Sequence, residues 1–270
     1  MQKQSENLYS ALYQALLERD PARKIQHTYA IYYGLRDDLY HREPTDIKSV
    51  PDAGRPDTPV LVAPKDVPRR RLGSRDGLCA MLHAIAHIEF NAINLSLDAA
   101  YRFQHMPEDF YHDWIRVAKE EAYHFSLISQ RLHELGSHYG AFPAHGGLWQ
   151  ACVDTEHDVM VRMALVPRVM EARGLDVTPL IQEKLTQHGE LRSARLLDII
   201  YRDEQGHVAI GSHWFKYCCA ERGLPYRDTF AELLSTYLKA TIKGPFNIEA
   251  RLQAGFDDLE MTLLAEIAEQ

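Results

Sequence analysis

An all-α fold, built around a bundle of four long helices, is predicted by this sequence from three observations. Apolar residues recur at helical spacing through most of the 270 residues, and the alternation typical of β-strands is almost absent. Glycine or proline marks the ends of most of the predicted helices. The hydrophobic fraction of 46% is enough to bury the core of one large domain.

Two short helices are predicted before the bundle, over about residues 5–19 and 21–35. Residues 43–73 then contain six prolines. Because proline lacks an amide donor and blocks helix continuation, this stretch predicts an extended, ordered strap. Residues 1–74 therefore form a predicted N-terminal region of two helices and the strap.

Residues 75–223 are predicted to form the four-helix bundle, and residues 224–270 two further helices packed on it. Ser74, Pro107, Gly136 and Gly174 supply start or stop signals, and a break is expected near Gly189. The first three long helices are predicted over about 75–104, 107–136 and 149–173. The fourth has a short opening after residues 178–179 and, beyond the break, a long body that ends at 222. The C-terminal helices are predicted over 226–242 and 247–268.

The composition excludes several classes of protein. A net charge of -8 argues against a general affinity for nucleic acid or anionic membrane. The N-terminus, MQKQSENLYS, lacks the apolar core of a secretory signal, and we expect no membrane-spanning segment. The four cysteines form no C-x-x-C pair, so a zinc knuckle is not expected. Free cysteines fit a cytoplasmic protein.

Two Glu-x-x-His motifs carry the chemistry. Glu121 and His124 lie on the second long helix, and Glu204 and His207 on the fourth. A spacing of three places both side chains on one helix face, one turn apart. One helix can therefore offer a carboxylate and an imidazole to the same metal ion.

The spacing to a preceding glutamate makes the pattern specific. Glu89 lies 32 residues before Glu121, and Glu171 lies 33 residues before Glu204. Glu156 is a competitor on the third helix, but its distance to Glu204 breaks the symmetry. Two helical hairpins, each with Glu and then Glu-x-x-His, match the ligand pattern of di-iron and di-manganese carboxylate bundles of the ferritin-like type.

The charges of this set also balance. Four glutamates and two divalent ions are together neutral, whereas four buried carboxylates alone would repel one another. Carboxylate and imidazole ligands suit iron or manganese better than zinc alone. We therefore expect two iron ions, with manganese or a mixed manganese–iron pair as the alternative.

Other polar residues near the motifs receive weaker roles. Asp203 precedes Glu204 and is a candidate for orienting a metal-bound histidine. Tyr201 lies on the same face as Glu204 and is a candidate for electron relay or hydrogen bonding, with packing as the alternative. His83 and His87 are interpreted as structural or supporting residues rather than ligands.

Five runs of the sequence resemble the uncharacterised ferritin-like proteins grouped as domain of unknown function 455, over about residues 5 to 250. The resemblance implies a ferritin-like fold and metal ligands at Glu89, Glu121, His124, Glu171, Glu204 and His207. It implies no particular reaction. The runs that carry it are AGRPDTPVLVAPKDVPRRRLGSRDG, LHAIAHIEFNAINLSLDAAYRF, KEEAYHFSLISQRL, MALVPRVMEARGLDVTP and DIIYRDEQGHVAIG.

Three functions remain open from the sequence. The first is an O₂-activating oxidase or hydroxylase with a separate electron-donor reductase, acting as a monomer or dimer on a small molecule or tRNA. For tRNA, a small basic face is available, although a solvated charge run is the simpler interpretation. The others are a non-cage iron-handling protein, either a ferroxidase or a peroxide-detoxifying protein, and a metal-stabilised scaffold. The residues of that basic face are Lys65, Arg69, Arg70, Arg71 and Arg75.

Overall fold

The computed structural model describes residues 6–68, 70–237 and 242–269. Almost all of the regular structure in these ranges is helical, which confirms the predicted all-α class. The contacts divide the chain into two compact units, Met1–Val153 and Asp154–Gln270. The predicted organisation into residues 1–74, 75–223 and 224–270 stays a prediction.

The first unit is built on two long helices. Two shorter helices precede them in the chain, and one short helix follows. A parallel pair of two-residue strands, β1 (Glu6–Asn7) and β2 (Tyr40–His41), joins its N-terminal segments. The helices are α1 (Leu8–Leu17), α2 (Pro21–Arg36), α3 (Arg75–Arg102), α4 (Glu108–Glu134) and α5 (Gly147–Asp154).

The ends of α3 and α4 follow the local signals in the sequence. Ser74 caps α3 through its side chain, which accepts a hydrogen bond from the Gly77 amide at 3.0 Å. Pro107 lies one position before α4 and is its N-terminal cap residue. Gly136 follows α4 with a φ of 69°, a backbone conformation that favours glycine. The predicted bounds of both helices are therefore correct to within about two residues.

Helix α3 is the centre of the first unit. It packs along α4 and also against α1, while α2 packs on α4. From Glu89 to Arg102 every side chain of α3 is buried. By length and composition α3 is apolar enough to cross a membrane, which we did not anticipate from the sequence. However, 72% of its most apolar stretch is buried inside the protein, as in the core helix of a globular protein.

The described part of the proline-rich strap is irregular, apart from one 3₁₀ turn at Pro64–Asp66 and an isolated bridge between Leu61 and Ala144. Its Gly54 amide donates to the Leu16 carbonyl at 2.9 Å. A Cβ atom at Gly54 would lie 2.3 Å from the carbonyl carbon of Leu17, so only glycine lets the strap approach the end of α1 this closely. These contacts hold the strap against the C-terminal end of α1, whereas its predicted extended and ordered character stays a prediction.

The second unit contains the remaining long helix. That helix, α8, packs against both α6 and α7. A π-helical turn, Val166–Glu171, connects α6 to α7. The helices are α6 (Val159–Leu165), α7 (Ala172–Gln187), α8 (Leu191–Glu221), α9 (Tyr226–Tyr237), α10 (Ile248–Gln253) and α11 (Asp258–Ala268).

The prediction of one helix over residues 149–173 is wrong. The chain leaves the helical conformation after Asp154 and resumes it at Val159, where the Asp158 side chain caps α6. Helical structure then passes through the π-turn and continues past Gly174 to Gln187. Gly174 does not have the positive φ that a glycine stop requires, so it is an ordinary helical residue. Gly189, with a φ of 76°, ends this segment where a break was expected.

The C-terminal prediction also needs correction. Residues 238–241, which fall in the predicted helix 226–242, lie outside the described residues, and α9 is described only to Tyr237. The predicted helix 247–268 is two helices, because Gly255 takes a φ of 88° between α10 and α11. The side chain of Asp257 then forms a capping box with Glu260 at the start of α11.

Candidate metal site

Helix α4 presents its Glu-x-x-His motif to the interior of the first unit. The side chains of Glu121 and His124 are 1% and 0% exposed. The Nδ1 atom of His124 lies 3.4 Å from the Oε2 atom of Glu121. Helical spacing of three residues produces this approach, since it places the two side chains one turn apart on the same face.

Helix α3 adds the third member of the group. The Oε2 atom of Glu89 lies 3.2 Å from the Nδ1 atom of His124, and the Glu89 side chain is 4% exposed. One ligand atom from each of Glu89, Glu121 and His124 falls within 4.8 Å of the others. The structure therefore brings together, from two helices, the three residues that the sequence assigned to the first hairpin. We name Glu89, Glu121 and His124 the α3–α4 cluster.

The electrostatics of the α3–α4 cluster call for a cation. Two carboxylates that share a buried site repel each other unless a positive charge or a proton lies between them. A metal ion can supply that charge, because carboxylate oxygen and neutral imidazole nitrogen are both metal ligands. A protonated His124 is the other way to neutralise part of the charge. The buried Glu and His group could thus hold a metal ion.

In the second unit the corresponding residues are less tightly grouped. Glu204 and His207 share one face of α8, with 3.7 Å between Oε2 and Nδ1, and their side chains are 12% and 1% exposed. Glu171 is half-buried at the end of the π-turn. Among the described residues of this unit, Glu171 does not join Glu204 and His207 in a close group of three ligand atoms. Glu156, the alternative to Glu171, lies in the turn between α5 and α6 and not on a helix.

The π-turn fixes where Glu171 enters the second unit. Pro167, in this turn, packs directly on α8 at Gly211, where a Cβ atom would lie 2.4 Å from the proline ring. Gly211 is one helical turn after His207. The wider π geometry also accommodates a proline that could not donate a regular α-helical hydrogen bond. The π-turn was not predicted from the sequence, although Pro167 within an apolar helical pattern marks its position.

The two residues predicted in supporting roles contact other groups. Asp203 accepts a hydrogen bond from Nε of Arg202 at 3.1 Å. The hydroxyl of Tyr201 accepts a hydrogen bond from Nδ2 of Asn247 at 3.0 Å, which ties α8 to the segment before α10. Orientation of a metal-bound histidine by Asp203 and electron relay by Tyr201 stay predictions.

His83 and His87 hydrogen-bond to other residues of the first unit, which agrees with their interpretation as structural or supporting residues. The Nε2 atom of His83 accepts a hydrogen bond from the Gly140 amide at 2.9 Å, and the ring stacks with Tyr139. The Nδ1 atom of His87 lies 2.9 Å from the Tyr139 hydroxyl. Burial lowers the pKa of each histidine to about 4, so both imidazoles are neutral at pH 7.

The proposed basic face is only partly a free surface. Arg75 donates from Nε to the Leu135 carbonyl at 2.9 Å and so caps the end of α4. The guanidinium of Arg70 lies 4.7 Å from the centre of the Phe142 ring. Arg69 lies outside the described residues. These contacts give two of the arginines structural roles.

A cavity on α3 was not predicted from the sequence. It lies between the strap, α3 and the start of α5, and its polar lining includes Arg55, His87, Asn91 and Asn94. The available signal was a row of polar residues spaced by four and three positions, 87, 91 and 94, along a helix that is otherwise strongly apolar. Such a row on a buried helix requires polar partners or a ligand.

The four cysteines, Cys79, Cys152, Cys218 and Cys219, are free and buried. Burial raises the pKa of the Cys218 thiol to about 12, so it carries no thiolate at neutral pH. This agrees with a metal site built from carboxylate and imidazole rather than from sulfur.

Comparison with known proteins places the chain in a family. A family model described as "Protein of unknown function (DUF455)" matches residues 17–262. A protein of Haemophilus influenzae described as "Uncharacterized protein" is 51% identical over 222 residues, which cover 80% of this chain and 77% of that protein. No solved structure matches the chain. The chain therefore belongs to the DUF455 family.

Proposed function

We propose that this protein is a ferritin-like, dinuclear iron carboxylate protein that acts as an O₂-activating oxidoreductase. The observation that carries the proposal is the α3–α4 cluster, in which two buried carboxylates face Nδ1 of one buried histidine. Hydrogen bonds alone would offset only part of the free-energy cost of removing two carboxylates from water. A metal ion accounts for their number, their burial and their convergence together.

The donor set fits iron. Its atoms are carboxylate oxygens and an imidazole nitrogen, without thiolate, which suits iron or manganese. The atom of His124 that faces both glutamates is Nδ1. For Nδ1 to bind a metal, the proton of the neutral ring must lie on Nε2. The ring orientation in α4 therefore already favours ligation through Nδ1.

The repeated sequence pattern supports a second metal ion. Glu171, Glu204 and His207 repeat the order and almost the spacing of the first group. We propose that Glu171, Glu204 and His207 bind a second metal ion, as the ligand pattern of the carboxylate bundles implies. The π-turn before Glu171 is part of this arrangement, since π-turns are frequent at functional sites.

Ferrous iron bound in pairs supplies the electrons for O₂ reduction, and the protein controls what reaches it. Glu89 and Glu121 would offer carboxylate oxygens to a bound iron, and His124 would offer a neutral nitrogen donor. So few protein ligands would leave coordination positions open, as a catalytic site requires. The chain has no flavin or ferredoxin motif, so the proposal includes a separate reductase, with a small molecule or tRNA as the substrate.

Metal analysis tests the first part of the proposal. Protein reconstituted anaerobically with ferrous iron should contain about two irons per chain, because the six ligands form two similar groups. Glu121→Gln and Glu171→Gln should each lower the iron content sharply. Glu156→Gln is the matched control and should leave it unchanged. Absence of iron after reconstitution, or loss with Glu156→Gln only, would refute the ligand assignment.

Oxygen uptake tests the second part. The reduced, iron-loaded protein should consume O₂ in an oxygen electrode, and His124→Ala should abolish the uptake, since it removes the only imidazole of the α3–α4 cluster. The oxidoreductase proposal fails if fully loaded protein leaves O₂ untouched with a chemical reductant present. Native mass separates an enzyme from an iron store, because a monomer or dimer is expected and a large shell would indicate storage.

A further inference from the structure

We propose that the cavity on α3 is a binding site for a small carboxylic acid that also carries a hydroxyl or amino group next to the carboxylate. The cavity lies entirely in the first unit, and its volume is about 160 Å³. Its polar lining comes from Asp52 and Arg55 on the strap, from His87, Asn91 and Asn94 on α3, and from Gln150 on α5. This inference does not depend on the proposed metal chemistry.

The cavity is separate from the α3–α4 cluster. Residues 87, 91 and 94 share one face of α3, because four and seven residues are close to one and two whole turns. Glu89 is two positions from residue 87, which is about 200° around the helix axis. Helix α3 therefore presents Glu89 to one side and the cavity residues to the other.

The walls of the cavity are held by hydrogen bonds. The indole Nε1 of Trp149 donates to the Pro51 carbonyl at 3.2 Å, which joins α5 to the strap. The amide of Val62 donates to the Ala144 carbonyl at 2.8 Å, and that of Ala144 to the Val60 carbonyl at 3.1 Å. The cavity is thus preformed, and a ligand would not have to order the strap on binding.

Lys24 fixes the polarity of the amide of Asn94. The Lys24 ammonium is fully buried and lies 2.6 Å from Oδ1 of Asn94. In its ammonium form Lys24 also donates to the Ala15 and Leu16 carbonyls at 2.9 Å, so each of its three N–H groups meets an oxygen, Oδ1 of Asn94 among them. The Nδ2 atom of Asn94 is then the part of the amide that remains to donate to a ligand.

Asn91 has the opposite polarity. Its Nδ2 atom donates to the His87 carbonyl at 2.8 Å, one turn earlier on α3. Oδ1 of Asn91 therefore remains to accept a hydrogen bond in the cavity. The two asparagines, three positions apart on one face of α3, supply one donor and one acceptor.

Arg55 supplies the positive charge. Its Nε lies 3.4 Å from Oδ1 of Asp52, but that side chain is 68% exposed, so water weakens the pair. Among the described residues, this guanidinium makes one long hydrogen bond, from Nη1 to the Pro56 carbonyl at 3.4 Å. A guanidinium has five N–H donors and pairs well with a carboxylate through two of them.

These groups define the ligand. A carboxylate fits Arg55 and the Nδ2 donor of Asn94, and a hydroxyl or amino group beside it fits the Oδ1 acceptor of Asn91. An engineered cavity of about 150 Å³ holds benzene, with about six non-hydrogen atoms. Lactate and alanine have this size. A single cation beside Asp52 also favours a ligand with one negative charge over a phosphate dianion.

Calorimetric titration of the purified full-length protein tests the proposal with four probes: L-lactate, L-alanine, propionate and lactamide. Lactate or alanine should bind with one site per chain. Propionate lacks the donor group and should bind about threefold to tenfold more weakly than lactate, the loss expected for one hydrogen bond. Lactamide lacks the carboxylate and should bind at least tenfold more weakly.

Two variants test the site. Arg55→Met should weaken binding of the tighter probe by tenfold or more, whereas Arg116→Met, which changes an exposed arginine of α4, should have no effect. Gly146→Val should block binding by filling the cavity. A Cβ atom at Gly146 makes an ordinary 3.5 Å contact with Leu61, so this variant should fold.

The proposal is overturned if neither lactate nor alanine gives saturable binding. It is also overturned if Arg55→Met and Gly146→Val, with the circular dichroism spectrum of the wild type, bind the probe as the wild type does. Equal binding of lactate and lactamide would show that the carboxylate is not recognised, and this result would also overturn the proposal. A preference between lactate and alanine would assign the hydroxyl or the amino group.

Discussion

Replacement of Arg168 by methionine should destabilise the second unit much more than replacement of the exposed Arg227 by methionine. Arg168 and Glu260 are 0% and 1% exposed, and Nη2 of Arg168 lies 2.8 Å from Oε1 of Glu260. Nε of Arg168 also donates to the Ser212 hydroxyl at 3.1 Å. The pair joins the π-turn before Glu171 to the C-terminal helix α11.

The surroundings of the guanidinium set the size of the effect. Three phenylalanine rings, Phe215, Phe230 and Phe256, surround it at 4.3 to 4.9 Å from their centres. Methionine would fill much of the space but would leave the Glu260 carboxylate buried among these rings. Removal of one partner of a buried pair costs about 3 to 5 kcal/mol. At about 2 to 4 °C per kcal/mol, the melting temperature should fall by roughly 6 to 20 °C.

A double-mutant cycle measured by differential scanning fluorimetry checks this reasoning. Arg168→Met with Glu260→Gln removes both charges and should recover most of the loss, because no buried charge then lacks a counter-ion. Arg227→Met is the matched control. Arg227 makes a pair of the same length with Asp257 but is 49% exposed, so its removal should change the melting temperature little.

Two outcomes would refute this account of Arg168. The single variant could melt no lower than Arg227→Met, which would mean that the burial of the pair is energetically unimportant. Alternatively, the double variant could melt as low as Arg168→Met alone, which would assign the loss to packing rather than to a buried charge. Because Arg168 is three residues before Glu171, the single variant should also bind less iron.

Two further predictions concern pH and metal removal. Burial lowers the pKa of Lys24 to about 7, whereas an unfolded lysine titrates near a pKa of about 10.4. Between about pH 7 and pH 10 the unfolded state therefore binds more protons than the folded state. The free energy of unfolding should rise over this range by up to about 1.4 kcal/mol per pH unit. Urea titrations should show that Lys24→Met lacks this slope, and an equal slope in both proteins would contradict the prediction. Iron-loaded protein should melt higher than chelator-treated protein at pH 7, and the difference should shrink as protonation of the glutamates competes with the metal at lower pH; identical melting at pH 7 would contradict a buried site.

The helical class and most helix ends follow from local signals. The Ser74 cap and the glycines at 136, 189 and 223 act within one or two turns, and each is visible in the sequence. Gly174 misled the prediction because a glycine ends a helix only where the chain takes a positive φ, and packing decides whether it does. The π-turn at Val166–Glu171 likewise depends on the close approach of Pro167 to Gly211.

In the candidate metal site, too, some features follow from local sequence and others from the packing of helices. That Glu121 and His124 share a helix face follows from the sequence, because side chains three residues apart lie on the same face of an α-helix. That Glu89 meets them depends on how α3 packs on α4, which brings Glu89 to 3.2 Å from His124. The cavity beside Asn94 was decided entirely by tertiary structure, because the strap that closes it is distant in sequence from α3 and has no helical or strand periodicity to reveal its path.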